Sequence, residues 1–219
     1  FCTLISANTD VNAERGLAQG FGDVELVKRA PSQRNAADVL IEKLEDELEN
    51  RPRPIFAYTT LSDPQAPYDP PEDIVGDVLA VRPETAPFPN RTHMWVGRVR
   101  LGKVEPLPQD LRFVRDLYLG ELAMVDQALG TLLDTLEQRG ELEDTIVAIV
   151  GVHGEEFLEH GGAGHGRNLY QESIHVPLAI RAPGLLAPGR VSVPVDLLDV
   201  GPTLLDLAGV PQPRSWQGQ

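Results

Sequence analysis

The sequence has very little cysteine and few aromatic residues. Cys2 is the only cysteine among 219 residues, and aromatic residues make up 5% of the chain. A single cysteine excludes an internal disulfide and any metal cluster built from several thiolates. No apolar run approaches the roughly 20 residues that a membrane-spanning helix requires, so we expect no transmembrane segment. The opening FCTLIS also lacks the features of a signal peptide, which is compatible with a segment of a longer exported or membrane-anchored protein.

Positive charge is also scarce. The chain carries 19 lysines and arginines against 33 aspartates and glutamates, which gives a formal net charge of −14. A field of this sign repels phosphate backbones, so we expect no nucleic-acid partner. The hydrophobic fraction of 42% is ordinary for a globular protein, and the length is sufficient for one domain with its own core.

Apolar runs and helical periodicity alternate along the chain. The apolar runs predict strands at residues 1–6, 55–60, 145–150 and 177–181. Three- and four-residue spacing predicts helices at 35–48, at 110–138 and around Pro202, with Gly140 ending the second. The proline-rich stretch from Ser62 to Pro108 is predicted to be a long loop. This pattern predicts an α/β fold whose sheet is mostly parallel and flanked by helices.

The strand at 145–150 is followed by a glycine-rich loop with six imidazole and carboxylate side chains. In open α/β sheets, ligands bind beyond the carboxyl ends of the strands. Imidazole suits a transition metal and carboxylate suits a harder cation, so the loop is a candidate metal or anion site. Its spacing matches no specific zinc motif. On spacing alone, a functional site and a solvated connection both stay open. The six residues are His153, Glu155, Glu156, Glu159, His160 and His165.

The run IVAIVGVHGEEFLEHGGAGHGRNLYQESIHVPLAIRAPG resembles the second signature region of the sulfatase family, in the alkaline-phosphatase-like superfamily. DPQAPYDPPED, DLYLGELAMVDQALGTLLDTLEQRGELEDTIV and DLLDVGPTLLDLAGVPQP resemble other segments of that family, in the same order. The resemblance implies a partial alkaline-phosphatase-like fold and a single sulfatase-like domain over residues 1–219. It also implies that the chain is the carboxyl-terminal part of a catalytic domain, without the first half that carries the nucleophile motif.

The resemblance further implies hydrolysis of sulfate monoesters, or of related anionic small molecules, with a divalent cation that is usually calcium. His153 falls on a metal-ligand position, and His165 falls on a position that contacts the sulfate. Gln65 occupies the place of a histidine that contacts the sulfate. Glu155 and His160 match the loop pattern without an assigned role. We expect His153, His165 and Gln65 to face one crevice at the carboxyl edge of the sheet.

Three departures from the family pattern limit what this chain can do. Val152 occupies the place of a metal-ligating aspartate, and valine offers no lone pair to a cation. Gln65 can form hydrogen bonds but can carry no positive charge. The family's cysteine-x-proline-x-arginine motif is absent. We therefore expect weak or no calcium binding and no sulfate-ester hydrolysis by this chain. Three functions stay open: a hydrolase with compensated losses, a pseudoenzyme that serves as a binding module, and a phosphodiesterase or phosphoglycerol transferase on the same scaffold.

Overall fold

The fold is known from a computed structural model, which describes residues 2–8, 10–27, 39, 42–43, 46, 49–50 and 54–219. The chain divides into two compact units, Phe1–Thr135 and Leu136–Gln219, and each is described by itself. That the whole chain forms a single sulfatase-like domain stays a prediction.

The first unit contains a parallel three-stranded sheet. Its strands are β1 (Cys2–Ser6), β2 (Asp23–Leu26) and β3 (Phe56–Thr60), in the order β2-β1-β3. β1 pairs in parallel with both neighbours and is the most buried strand of the three. A central parallel strand is covered on both faces, which is why it appears in the sequence as a short apolar run. The predicted parallel α/β arrangement is confirmed.

The proline-rich stretch is not one long loop, so that prediction was wrong. It contains α1 (Glu72–Ala80), a 3₁₀ turn at Pro89–Arg91 and α2 (Thr92–Arg100). Pro71 lies directly before α1, and Pro89 is the first residue of the 3₁₀ turn. Proline is tolerated at these positions because the N–H groups in the first turn of a helix have no acceptor within the helix, so nothing is lost when one is missing. The prolines therefore mark where helices start.

The long helix α3 (Pro108–Gln138) matches the predicted helix at 110–138 within two residues. It ends as the sequence predicts, because Gly140 has a φ of +72° and its N–H donates to Glu137 O. Its buried face includes a charged residue: Glu121 is buried, whereas the neighbouring Leu122 is 37% exposed. Most of the predicted helix at 35–48 lies outside the described residues. Those described within it, 39, 42–43 and 46, are helical.

The second unit contains two small antiparallel sheets. β4 (Val147–Val150) pairs with β7 (Leu178–Arg181), and β5 (Glu156–Phe157) pairs with β6 (Ala163–Gly164). A one-turn helix, α4 (Gln171–Ile174), precedes β7, and α5 (Val200–Leu207) is the predicted last helix. No helix within the described residues has both the length and the hydropathy needed to cross a bilayer.

Candidate functional site

The candidate site is in residues 151–175 of the second unit, here called the histidine loop. It leaves the end of β4, where Gly151 N donates to Pro177 O and so prolongs the pairing with β7. The imidazole rings of His153 and His165 are stacked, with centroids 3.9 Å apart and planes inclined by 23°. Twelve residues separate these side chains in sequence, and the short β5–β6 hairpin between them brings them together.

Glu155 holds one ring of this histidine pair. Its side chain is 4% exposed, and its Oε2 accepts a hydrogen bond of 3.1 Å from Nδ1 of His165. The Nδ1 of His153 donates to Gly154 O at 2.9 Å. Because carboxylate and carbonyl oxygens only accept, Nδ1 carries the proton in both rings. Nε2 is then the nitrogen through which either ring would contact a ligand, the arrangement usual for ligating histidines.

Glu156 organises the rest of the loop. Its side chain is buried, and Oε1 accepts from the backbone N–H of His160 at 3.1 Å and of Gly162 at 2.7 Å. Its Oε2 accepts from Nδ2 of Asn168 at 2.5 Å. A methyl group on Gly162 would overlap the Glu156 carboxylate, which explains the glycine there. This buried carboxylate therefore closes the loop with three donors that lie within twelve residues of it.

His160 belongs to a separate cluster on the loop. Its ring stacks on Tyr170, with centroids 3.6 Å apart and planes inclined by 11°. Its Nδ1 donates to Oε1 of Glu172 at 2.5 Å. Desolvation raises the pKa of the Glu172 carboxyl, but hydrogen bonds from His160 and from its own backbone N–H, with the His160 charge, lower this pKa overall. These contacts fix the imidazole of His160. No described hydrogen bond joins it to His153 or His165.

Gln65 lies in the first unit, on residues 63–70, here called the proline loop. The backbone N–H of Gln65 donates to Oε2 of Glu121 at 3.1 Å, and that of Asp69 donates to Oε1 at 2.9 Å. The backbone N–H of Tyr68 donates to Oγ1 of the buried Thr92 at 2.6 Å. Side chains of α2 and α3 therefore hold the backbone of the proline loop by hydrogen bonds. That Gln65 faces the crevice of His153 and His165 stays a prediction.

The residues around the stacked histidines do not form an oxygen-rich cation site. Val152, beside His153, is 71% exposed, and its side chain has no atom that can bind a cation. Oε1 of Glu155 is buried without a hydrogen-bond partner among the described residues, so this carboxylate offers a cation one oxygen ligand. Calcium takes six to eight oxygen ligands, so two imidazoles and one carboxylate oxygen fall well short of its usual shell. These residues therefore do not fit a calcium ion by themselves.

One other group has the spacing of a metal site. Glu156, His160 and Glu172 are the described His, Cys, Asp or Glu trio whose ligand atoms lie within 4.8 Å of one another. The Glu156 oxygens already accept three N–H groups, and the His160 Nδ1 already donates to Glu172. A cation would have to displace these bonds. The trio is better explained as the internal framework of the loop.

The sequence analysis did not predict the structural roles of two buried glutamates, Glu121 and Glu156. Glu121 carried a signal, because it lies one helical turn after the buried Leu117 and two turns after the buried Val114, on the same face of α3. Glu156 was a candidate ligand, and nothing in its spacing distinguished it from Glu155 beside it. Both are buried, and only their hydrogen-bond partners separate the two.

Comparison with known proteins agrees with this architecture. A match to the sulfatase family covers residues 6–210, which is nearly the whole chain. The chain belongs to the sulfatase family. It is 38% identical to arylsulfatase K from Bos taurus over 110 residues, which is 50% of this chain and 20% of that protein. The aligned region thus spans about a fifth of the curated relative. Sulfatases are hydrolases that generally use a metal ion.

Solved structures show the same fold. The phosphonate monoester hydrolase SpPMH from Silicibacter pomeroyi is 26% identical, with a TM-score of 0.60 over 84% of this chain and 40% of that one. A protein solved in complex with its substrate D-glucosamine-2-N,6-O-disulfate is 18% identical. Its TM-score is 0.70 over 99% of this chain and 60% of that one. The predicted alkaline-phosphatase-like fold of this sulfatase chain is thereby confirmed.

Proposed function

We propose that this chain is the anion-recognition part of a sulfatase-family hydrolase of sulfate monoesters, and that the chain alone has no turnover. The stacked pair of His153 and His165, with Glu155 behind one ring, carries the proposal. Both Nδ1 atoms are committed to internal acceptors, so each ring directs its ligand contact through Nε2. With its Nδ1 proton directed to an internal acceptor, each imidazole can donate to an oxyanion through Nε2 when that atom also carries a proton.

The absence of turnover is proposed on two independent grounds. Val152 provides no carboxylate at the position where the resemblance implies a metal ligand. The 219 residues also contain no cysteine- or serine-x-proline-x-arginine motif. Without a charged ion or a nucleophile, a sulfate ester bound here would gain contacts but no stabilisation of a transition state. We propose, by the same argument, weak or no calcium binding.

The experiment measures binding and turnover separately on the 219-residue chain. We expect inorganic sulfate to bind with roughly millimolar affinity. His165→Ala should abolish this binding, whereas His175→Ala, which changes an exposed histidine of the same unit, should preserve it. Failure of sulfate to bind the parent chain would refute the anion-recognition role.

Turnover is tested with 4-nitrophenyl sulfate, and calcium binding by calorimetry. We expect no hydrolysis above the buffer rate and no micromolar calcium site. Val152→Asp alone should restore neither property, because one carboxylate does not supply the six to eight oxygens that calcium takes. Micromolar calcium affinity, or turnover that His153→Ala abolishes, would contradict the proposed inactivity and leave the anion site in place.

A phosphorus ester is the second candidate substrate. The similarity to the phosphonate monoester hydrolase SpPMH favours it, because sulfate and phosphonate esters present similar tetrahedral oxygens. Inorganic phosphate and phenylphosphonate, titrated under the same conditions as sulfate, distinguish the two. Tighter binding of phenylphosphonate than of sulfate would favour the phosphorus branch.

A further inference from the structure

The short helix α4 lies directly against the backbone between His153 and Glu155. The N–H of Gly154 donates to Ser173 O at 2.9 Å. A Cβ atom on Gly154 would lie only 2.0 Å from Glu172 O, so the loop can approach α4 this closely only with glycine at position 154. Gly154 O in turn accepts from Nδ1 of His153. The carbonyl groups of α4 therefore fix the segment from which His153 projects.

His160 contacts the start of the same helix twice. Its Nδ1 donates to Oε1 of Glu172 at 2.5 Å, and its ring stacks on Tyr170, the residue directly before α4. The Glu172 side chain is 17% exposed, so this hydrogen bond to a carboxylate is partly shielded from water. Glu172 thus makes two contacts with the rest of the loop. Its side chain meets His160, and its carbonyl oxygen packs against Gly154.

Both rings of the stacked histidine pair depend on that segment of backbone. His153 is one ring, and the Glu155 carboxylate holds the other through Nδ1 of His165. Gly154 lies between His153 and Glu155 in the chain, so a displacement of residue 154 would move both side chains. An imidazole that makes no hydrogen bond to the pair can therefore affect the stack, because the contacts between them run without interruption through α4.

We propose that His160 and Glu172 are positioning residues. They hold α4 against Gly154 and so keep the two rings of the histidine pair stacked. The consequence for anion binding rests on the proposed function, because the pair is a contact site only if the chain binds an oxyanion. The effect on the stack itself is tested without any ligand.

The first test measures the stack and its support in the ligand-free chain. In His160→Ala and in Glu172→Ala, we expect amide hydrogen exchange at Gly154 to accelerate by about tenfold, because Ser173 O is no longer held in place. The NMR signals of the His153 and His165 rings should lose the ring-current shifts of stacking. His175→Ala removes an exposed histidine directly after α4 and should change neither measurement. Unchanged Gly154 exchange and ring shifts in the two variants would overturn the proposal.

The second test asks whether the two residues act as one contact. The double variant His160→Ala with Glu172→Ala should exchange the Gly154 amide no faster than the quicker single variant, because either change removes the same hydrogen bond. Glu172→Gln should restore most of the protection, since its amide oxygen can still accept from Nδ1 of His160. Accelerations that multiply in the double variant, or a glutamine variant as fast as the alanine variant, would overturn the proposed contact.

The third test connects the stack to anion binding. We expect His160→Ala to weaken the binding of inorganic sulfate by roughly threefold to tenfold, and His175→Ala to leave it unchanged. Full sulfate affinity in a His160→Ala chain whose stack is lost would overturn the positioning role. If the parent chain binds no sulfate, the proposed function fails, and the exchange and ring-shift measurements still decide whether the two residues hold the stack.

The variants are expected to fold. The His160 side chain is 44% exposed, and α4 has a further anchor, because Ser173 Oγ donates to Oδ1 of Asn168 at 2.8 Å. Circular dichroism checks the fold. If an alanine variant unfolds, His160→Asn takes its place in the same measurements, since it keeps a donor near Nδ1 but lacks the ring that stacks on Tyr170. Faster exchange centred on Gly154 supports the proposal, and equal acceleration throughout the second unit overturns it.

Discussion

Exchanging the two partners of the Glu156–Asn168 hydrogen bond tests how the histidine loop is built. In Glu156→Gln, the amide oxygen can still accept from His160 N and Gly162 N, but its NH₂ group faces the NH₂ group of Asn168. Asn168 cannot rotate to relieve this, because its Oδ1 already accepts from Tyr170 N and from Ser173 Oγ. The variant therefore loses one bond to a carboxylate and gains an opposed donor pair.

The magnitude follows from these contacts. A hydrogen bond to a charged group contributes about 1.5–3 kcal/mol, and an unsatisfied buried donor adds about 1–3 kcal/mol. Allowing for local relaxation, we expect Glu156→Gln to lower the free energy of unfolding by roughly 2–4 kcal/mol. Asn168→Asp should be at least as damaging, because it places two carboxylates 2.5 Å apart at a part-buried position.

The double variant Glu156→Gln with Asn168→Asp should recover most of the stability. The glutamine NH₂ group then donates to the new carboxylate, and every donor named above keeps an acceptor. Chemical denaturation of the four proteins gives the coupling energy, which we expect to reach at least about 2 kcal/mol. Glu137→Gln, at an exposed position of the same unit, is the control for a lost charge. Destabilisations that simply add in the double variant would refute this account of the loop.

Two further predictions concern sterics and pH. Gly162→Ala should destabilise the chain by about 1–3 kcal/mol in a thermal melt, because its methyl group overlaps a buried carboxylate. Gly130→Ala, with open space around it inside a helix, should be neutral or stabilising. The pKa of Glu172 lies below its ordinary value of 4.5, so its stabilising contribution is complete above that pH and is lost as the pH falls through the lowered pKa. His160→Ala should move this pKa upward in a carboxyl NMR titration, and an unchanged value would contradict the ion pair.

The extent of several strands and of the long helix could be predicted from local sequence. Predicted strands at 55–60 and 145–150 became Phe56–Thr60 and Val147–Val150, and the predicted long helix began and ended within two residues of its observed limits. Such signals are readable because side-chain periodicity and a helix-ending glycine act over a few residues. The sulfatase resemblance was readable for a similar reason, since its motifs are contiguous runs of sequence.

The roles of the buried carboxylates were decided by tertiary structure alone. Glu121 finds its donors 52 and 56 residues away along the chain, and no local pattern records that distance. Glu155 and Glu156 are adjacent and chemically identical, yet one holds an imidazole and the other closes a loop through backbone amides. Glu156 is the first residue of β5, whereas Glu155 precedes that strand, and the fold turns the two side chains to different partners. Sequence supplied the charged groups, and the fold determined which donors each of them meets.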